Sequence, residues 1–164
     1  MKNKKNISEK SWRPATRAIR SGIDRSFNGE TAEPIYLTSG YVYDNAETAA
    51  ARFTGESEGF IYSRFGNPSV RTFEKRLASI EGADDCRGTA TGMAAVFASL
   101  MCQLKAGDHV VSSRALFGSC DYILSQLLPR YGIETTLVDG CDLNQWQKAM
   151  RSNTRCIFME SPSN

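Results

Sequence analysis

Between residues 67 and 81 apolar side chains recur at the spacing of one helical face, with Val70, Phe73, Leu77 and Ile80 in a stripe and Arg71, Lys75 and Arg76 off it. Asn67 is a good N-terminal cap, Pro68 suits the first helical position, and Gly82 follows as a stop, so the pattern predicts a helix over 67–81 packed on a core. Beyond it the period changes. Short strand-like runs at 86–90, 109–112, 134–138 and 155–160 alternate with helical segments at 93–104, 119–128 and 142–150. Strand starts about every 20–25 residues with a helix between them are the mark of βαβ units and a parallel sheet. The 93–104 helix is apolar nearly all round, from Met93 through Phe97 to Leu104, so something beyond this chain's own sheet is expected to cover it.

The first 43 residues show little period. The polar, glycine-punctuated stretch around Gly29, Glu30 and Glu33 reads as an extended arm with turns, which must lie on the rest of the chain or on another copy. A short helix is predicted from Asp44, where Asp44-x-x-Glu47 has capping-box spacing, with Gly55 as its stop. The division expected is an arm over 1–55 and a sheet domain over 56–164.

Composition narrows the class. The chain has 164 residues, enough for a real core, and its net charge is only +2. A broadly basic nucleic-acid footprint is therefore absent, although residues 1–25 carry +6 and read as a solvated arm. No apolar run reaches the ~18 residues of a membrane span, and no apolar signal core follows the basic start. Cys86, Cys102, Cys120, Cys141 and Cys156 are odd in number, widely spaced and form no CxxC, which argues against a disulfide framework or zinc site and for a cytoplasmic setting. The lone His109, beside Val110 and Val111, reads as a strand residue rather than a metal ligand.

In an open α/β sheet ligands gather outside the carboxyl ends of the strands, here 91–93, 114–119 and 161–164. The backbone N–H groups of Gly92 and Met93 would open a helix whose positive dipole end suits a phosphate, with Gly92 allowing close approach. A glycine there also serves ordinary strand-to-helix packing, and both readings stand; the turn is neither a P-loop nor GxGxxG. Tyr62 and Arg64, two residues apart, could reach one phosphate together if the segment is extended; otherwise they are a surface pair in a loop.

Five segments in order carry a resemblance: Glu33-Pro34-Ile35-Tyr36-Leu37-Thr38-Ser39-Gly40-Tyr41, Tyr62-Ser63-Arg64-Phe65-Gly66-Asn67-Pro68, Thr91-Gly92-Met93-Ala94-Ala95, Ala106-Gly107-Asp108-His109-Val110-Val111, and Glu160-Ser161-Pro162-Ser163-Asn164. Together they resemble the pyridoxal-phosphate enzymes of cysteine and methionine metabolism, from about residue 13 to the last. The resemblance implies an α/β fold: an N-terminal extended arm plus an incomplete, mostly parallel sheet of the fold-type I pyridoxal-phosphate-dependent transferase large domain. It implies pyridoxal 5'-phosphate as cofactor, with Gly92 and Met93 on its phosphate, Phe117 stacked on its ring in place of a tyrosine, and Asn164 near its 3'-oxygen. In the family the Tyr-x-Arg pair reaches a neighbouring subunit's phosphate, so Tyr62 and Arg64 imply a homo-oligomer, a homotetramer by family habit.

Thr89-Ala90-Thr91-Gly92-Met93 and Leu116-Phe117-Gly118 resemble the members that carry out γ-replacement, releasing succinate from a homoserine ester and adding sulfide to give homocysteine. Cystathionine γ-synthase or γ-lyase chemistry is the alternative. None of the seven lysines, Lys2, Lys4, Lys5, Lys10, Lys75, Lys105 and Lys148, matches the family's Schiff-base lysine, whose motif lies downstream of residue 164, so the chain is expected to be an N-terminal portion inactive alone. Two other readings are a non-catalytic interaction remnant and a nucleotide-binding α/β domain. The last lacks an acidic residue in a dinucleotide fingerprint about 20 residues beyond the glycine turn.

Overall fold

A computed structural model describes residues 11–163. The chain falls into two compact units, one ending at Gly88 and the other starting at Thr89.

The first unit holds α1 (Pro14–Arg20), α2 (Ala46–Thr54) and α3 (Pro68–Glu81). The start and stop signals of α3 act as their chemistry dictates: the Asn67 side chain accepts from Ser69 N–H at 2.8 Å, and Gly82 adopts the left-handed conformation at φ 70°. The cap of α2 is Asn45 rather than Asp44, its Oδ1 accepting from Thr48 N–H at 2.7 Å, so the helix begins at Ala46.

The apolar stripe on α3 faces the other way from the sequence expectation. Val70, Phe73 and Ile80 are 45%, 55% and 41% exposed, while Thr72, Glu74 and Ala78 are buried. The polar side is covered because the arm lies on it. Lys75 pairs with Asp24 at 2.6 Å, Arg76 with Glu33 at 2.6 Å, and Arg76 Nε donates to Ser21 O at 3.1 Å. The Arg76 guanidinium holds the Glu33 carboxyl down at about 2. At Gly22, φ +75°, a Cβ would stand 2.8 Å from Thr72 O and from Lys75 Cβ, so only glycine lets the chain approach this closely. The arm thus rests on its own chain over these residues, with Ile35 and Leu37 left exposed.

The second unit contains α4 (Gly92–Met101), β1 (His109–Ser113), α5 (Gly118–Tyr122), β2 (Glu134–Val138), α6 (Leu143–Ala149) and β3 (Thr154–Phe158). Helix α5 continues through a wide π-type turn (Ile123–Leu127) into a 3-10 turn (Leu128–Tyr131). The three strands are parallel in the order β2-β1-β3, and this confirms the βαβ reading. Leu100, Leu104, Val110, Ile123, Leu124, Leu128 and Ile133 form the core beside them. Ala94, Ala95 and Ala98 on α4 stay exposed, consistent with the excess of apolar positions read from this helix.

The expected strand at 86–90 does not form. Two of its amides go to side chains instead, Cys86 N–H to Asp85 Oδ1 at 2.9 Å and Gly88 N–H to Glu74 Oε1 at 2.8 Å, and residues 86–90 pair with no strand among the described residues.

His109 lies in the central strand, fully buried. Its Nδ1 is 2.8 Å from Thr154 Oγ1 on β3 and its Nε2 is 2.8 Å from Thr136 Oγ1 on β2, so one imidazole ties all three strands. Burial pushes its pKa below 6.5, Arg151 lowers it further, and Glu134 opposes. The folded state therefore binds the proton less readily than the unfolded chain. Stability from this group is complete above pH ~6.5 and declines as the pH falls below it, because there the unfolded state takes up more protons. Urea unfolding of the chain at pH 7.5 and 5.5 is expected to show the loss, and His109→Gln, which cannot titrate, is expected to lower stability at both values while flattening the slope between them.

Candidate active site

The loop that enters α4 is arranged by Thr91. Its Oγ1 accepts from Ala94 N–H at 3.0 Å and its carbonyl from Ala95 N–H at 3.1 Å. These bonds satisfy the third and fourth amides of the helix. The first two, Gly92 and Met93, have no acceptor among the described residues. A Cβ built on Gly92 would meet no protein atom within 4 Å, so among the described residues packing does not require this glycine. Two open amides at the positive end of a ten-residue helix, with no side chain over the first, form a donor set for a dianionic oxygen group.

Phe117, 46% exposed, sits in the turn between β1 and α5. Its backbone N–H donates to both oxygens of Glu160, at 3.0 and 2.9 Å. The same carboxylate and burial together push the Cys120 thiol upward, burial being the larger cause. Glu160 follows β3 as Phe117 follows β1. Parallel neighbours bring both to one edge of the sheet.

In the first unit, Tyr62 makes a single antiparallel bridge to Gly40, after which residues 63–65 turn instead of running on. The extended geometry expected for Tyr62-Ser63-Arg64 is thus not what joins the pair. Phe65 and Gly66 N–H groups close the turn on Tyr62 O at 2.9 and 3.1 Å, and Ser63 Oγ bonds to Thr38 O. The turn folds Arg64 back so that its guanidinium lies 5.4 Å from the Tyr62 ring centre and 5.0 Å from that of Phe65. Arg64 is exposed and has no acidic partner among the described residues, whereas Arg71 and Arg87 in the same groove are engaged by Glu74 and Asp85.

The profile of the family described as Cys/Met metabolism PLP-dependent enzyme matches residues 15–164. The chain belongs to this family. It is 53% identical over 150 residues to O-succinylhomoserine sulfhydrylase from Mycobacterium tuberculosis, which covers 92% of this chain and 37% of that protein. It is 39% identical over 158 residues to L-methionine gamma-lyase from Fusobacterium nucleatum, covering 96% and 40%. Among solved structures, a protein described as O-acetylhomoserine (thiol)-lyase from Campylobacter jejuni, crystallised with a pyridoxyl-lysine monophosphate group, superposes with a TM-score of 0.87 at 35% identity, covering 93% of this chain and 38% of the other. The chain therefore spans about two fifths of the length of the relatives it matches.

Pyridoxal phosphate is the cofactor on which this family depends, and the residues present fit it. The open amides of Gly92 and Met93 suit its phosphate, and the exposed Phe117 ring offers a flat face. The structure joins Tyr62 to Arg64 in one unit and Phe117 to Glu160 in the other; Asn164 lies outside the described residues. Glu160 was visible in sequence only as the first letter of a motif. The signal that could have found it is its position, an acid two residues past the end of a strand at the carboxyl edge of a parallel sheet. Among the described residues no group of three His, Cys, Asp or Glu is placed to hold a metal ion, and no helix is long and apolar enough to cross a membrane.

If Gly92 serves phosphate binding rather than packing, Gly92→Ala separates the two. The variant is expected to keep the chain's stability or raise it by up to about 1 kcal/mol, the usual gain where alanine fits the backbone. It is also expected to weaken binding of a phosphate ester in a calorimetric titration. A large loss of thermal stability would return this glycine to a packing role.

Proposed function

We propose that the chain is the cofactor-holding N-terminal portion of a pyridoxal-phosphate-dependent γ-replacement enzyme that makes homocysteine from O-succinylhomoserine and sulfide. The observation that carries this reading is the pair of amides on Gly92 and Met93, unpartnered among the described residues and set behind the Thr91 cap in a chain 53% identical to an O-succinylhomoserine sulfhydrylase. The division into an arm over 1–55 and a large-domain portion over 56–164 belongs to the same proposal.

In this reading Gly92 and Met93 donate to the phosphate, and the helix dipole of α4 favours its negative charge. Phe117 covers one face of the pyridine ring and excludes water from it. Lacking a hydroxyl, Phe117 orients but moves no proton. Tyr62 and Arg64 donate to the phosphate of a neighbouring subunit's site, and with the guanidinium over the Tyr62 ring and no acidic partner among the described residues, Arg64 is ready for an anion. Asn164 is assigned to the cofactor's 3'-oxygen. When bound, the cofactor supplies the electron sink that lets protons leave the carbons next to the substrate amine. The lysine that moves those protons has no match among the seven present, so the 164 residues alone are proposed not to turn over. A cytoplasmic homotetramer is the setting proposed for the whole protein.

A second reading, γ-elimination, is favoured by the 39% identity to the Fusobacterium L-methionine gamma-lyase. A chimera tests both readings: these residues replace the matching part of the Mycobacterium tuberculosis sulfhydrylase, and products are measured from O-succinylhomoserine with sulfide and from methionine. Homocysteine from the first pair, lost by at least tenfold in Arg64→Ala, is expected; release of methanethiol from methionine without homocysteine synthesis would favour elimination. For the chain alone, borohydride reduction with pyridoxal phosphate and peptide mapping is expected to label no single lysine stoichiometrically.

A further inference from the structure

We propose that Glu160 is the positioning residue for Phe117, and that its carboxylate, rather than packing around the aromatic ring, fixes the angle at which that ring meets the cofactor. The proposal rests on the reading of Phe117 as the ring-stacking residue.

The ring has little else to hold it. Phe117 is 46% exposed, the turn that carries it has no side-chain helix cap, and Gly118 beside it has open space where a Cβ would be. A half-exposed phenylalanine between a strand end and a glycine can swing with its backbone. Glu160 removes that freedom, because both carboxylate oxygens receive the Phe117 N–H, at 3.0 and 2.9 Å. A hydrogen bond to an ionised acceptor is about twice as strong as a neutral one, and here the single N–H is shared between the two carboxylate oxygens. The Phe117 carbonyl is fixed too, accepting from Cys120 and Asp121 N–H at 2.8 and 3.0 Å. Both ends of the residue's backbone are thus held, the N–H by β3's exit and the carbonyl by the first turn of α5.

Burial pushes the Cys120 thiol upward, and the nearby Glu160 carboxylate adds to the shift. The thiol stays protonated at neutral pH and can donate to the carboxylate. The carboxylate therefore links the exit of β3, the ring-bearing turn and the first turn of α5. A tyrosine at position 117 could anchor its own ring through its hydroxyl; phenylalanine cannot, which places the orienting work on the backbone.

Pyridoxine 5'-phosphate, which has no aldehyde and cannot condense with a lysine, is the probe; glycerol 3-phosphate, with the same ester and no ring, is the control. Affinity is read by calorimetry, and ring orientation by the circular dichroism of the bound pyridine. Glu160→Leu is expected to bind the probe about tenfold more weakly, the scale of one charge-assisted hydrogen bond, and to lose the induced dichroism, with glycerol 3-phosphate unaffected. Glu160→Gln, which still offers an oxygen to the amide, is expected to restore most of both signals. In a Phe117→Leu background, removing Glu160 is expected to cost less than twofold. Should Glu160→Leu not fold, Glu160→Ser, too short to reach the amide, gives the same comparison. Unchanged affinity and dichroism in Glu160→Leu, or a full additional loss in the Phe117→Leu background, would overturn the proposal and leave the site reading standing. Binding of neither ester by the unaltered chain would instead remove the site reading, and this proposal with it.

Discussion

Three strands running the same way, with β1 between β2 and β3, send their carboxyl ends to a single edge, and the second unit depends on that constraint. It is reinforced where side chains rarely help, in the middle of the sheet. His109 reaches Thr136 on one neighbour and Thr154 on the other, so a buried polar ring with both nitrogens satisfied binds the strands across their ladder. The consequence is local to the edge. The turn after β1 and the residue after β3 meet there, and Phe117 finds Glu160 only because parallel neighbours deliver both to that place.

Local chemistry was the part of this fold legible from sequence. Asn67 with Pro68 and Gly82 mark α3, the segment read as helix over 142–150 contains α6, and β2 falls at 134–138 as read. Where sequence reasoning failed, the deciding partner was distant. Lys75 and Arg76 look like solvent residues until Asp24 and Glu33, some forty to fifty positions earlier, lie against them and turn the polar face of α3 inward. Residues 86–90 have strand-like composition but bond to Asp85 and Glu74 instead. Asn45 replaced Asp44 as the cap by one position, the ordinary uncertainty of a helix end.

The site was legible in its motifs and not in its geometry. Gly92 alone leaves phosphate binding and packing both open; in the structure the glycine faces open space and, among the described residues, the amides of Gly92 and Met93 have no acceptor, the arrangement on which the phosphate proposal rests. An extended backbone would let Tyr62 and Arg64 reach one phosphate together, and a loop would make them a surface pair; the structure joins them through a turn, with the guanidinium over the ring. Glu160 had no role assigned by spacing, since its partner is a backbone amide 43 residues away and amides have no letter in a sequence.

The proposed role of the chain is binding and orientation, through the Gly92 and Met93 amides, a flat ring without a hydroxyl, and an arginine with no acidic partner among the described residues. The central claim is that Gly92 and Met93 hold the phosphate. The most direct measurement is a titration of the isotopically labelled chain with pyridoxine 5'-phosphate, followed at each backbone amide by nuclear magnetic resonance. The account predicts that the largest downfield shifts fall on Gly92 and Met93 N–H, with Ala94 and Ala95, already bonded to Thr91, moving little. Saturable binding with the Gly92 and Met93 amides unmoved would contradict it.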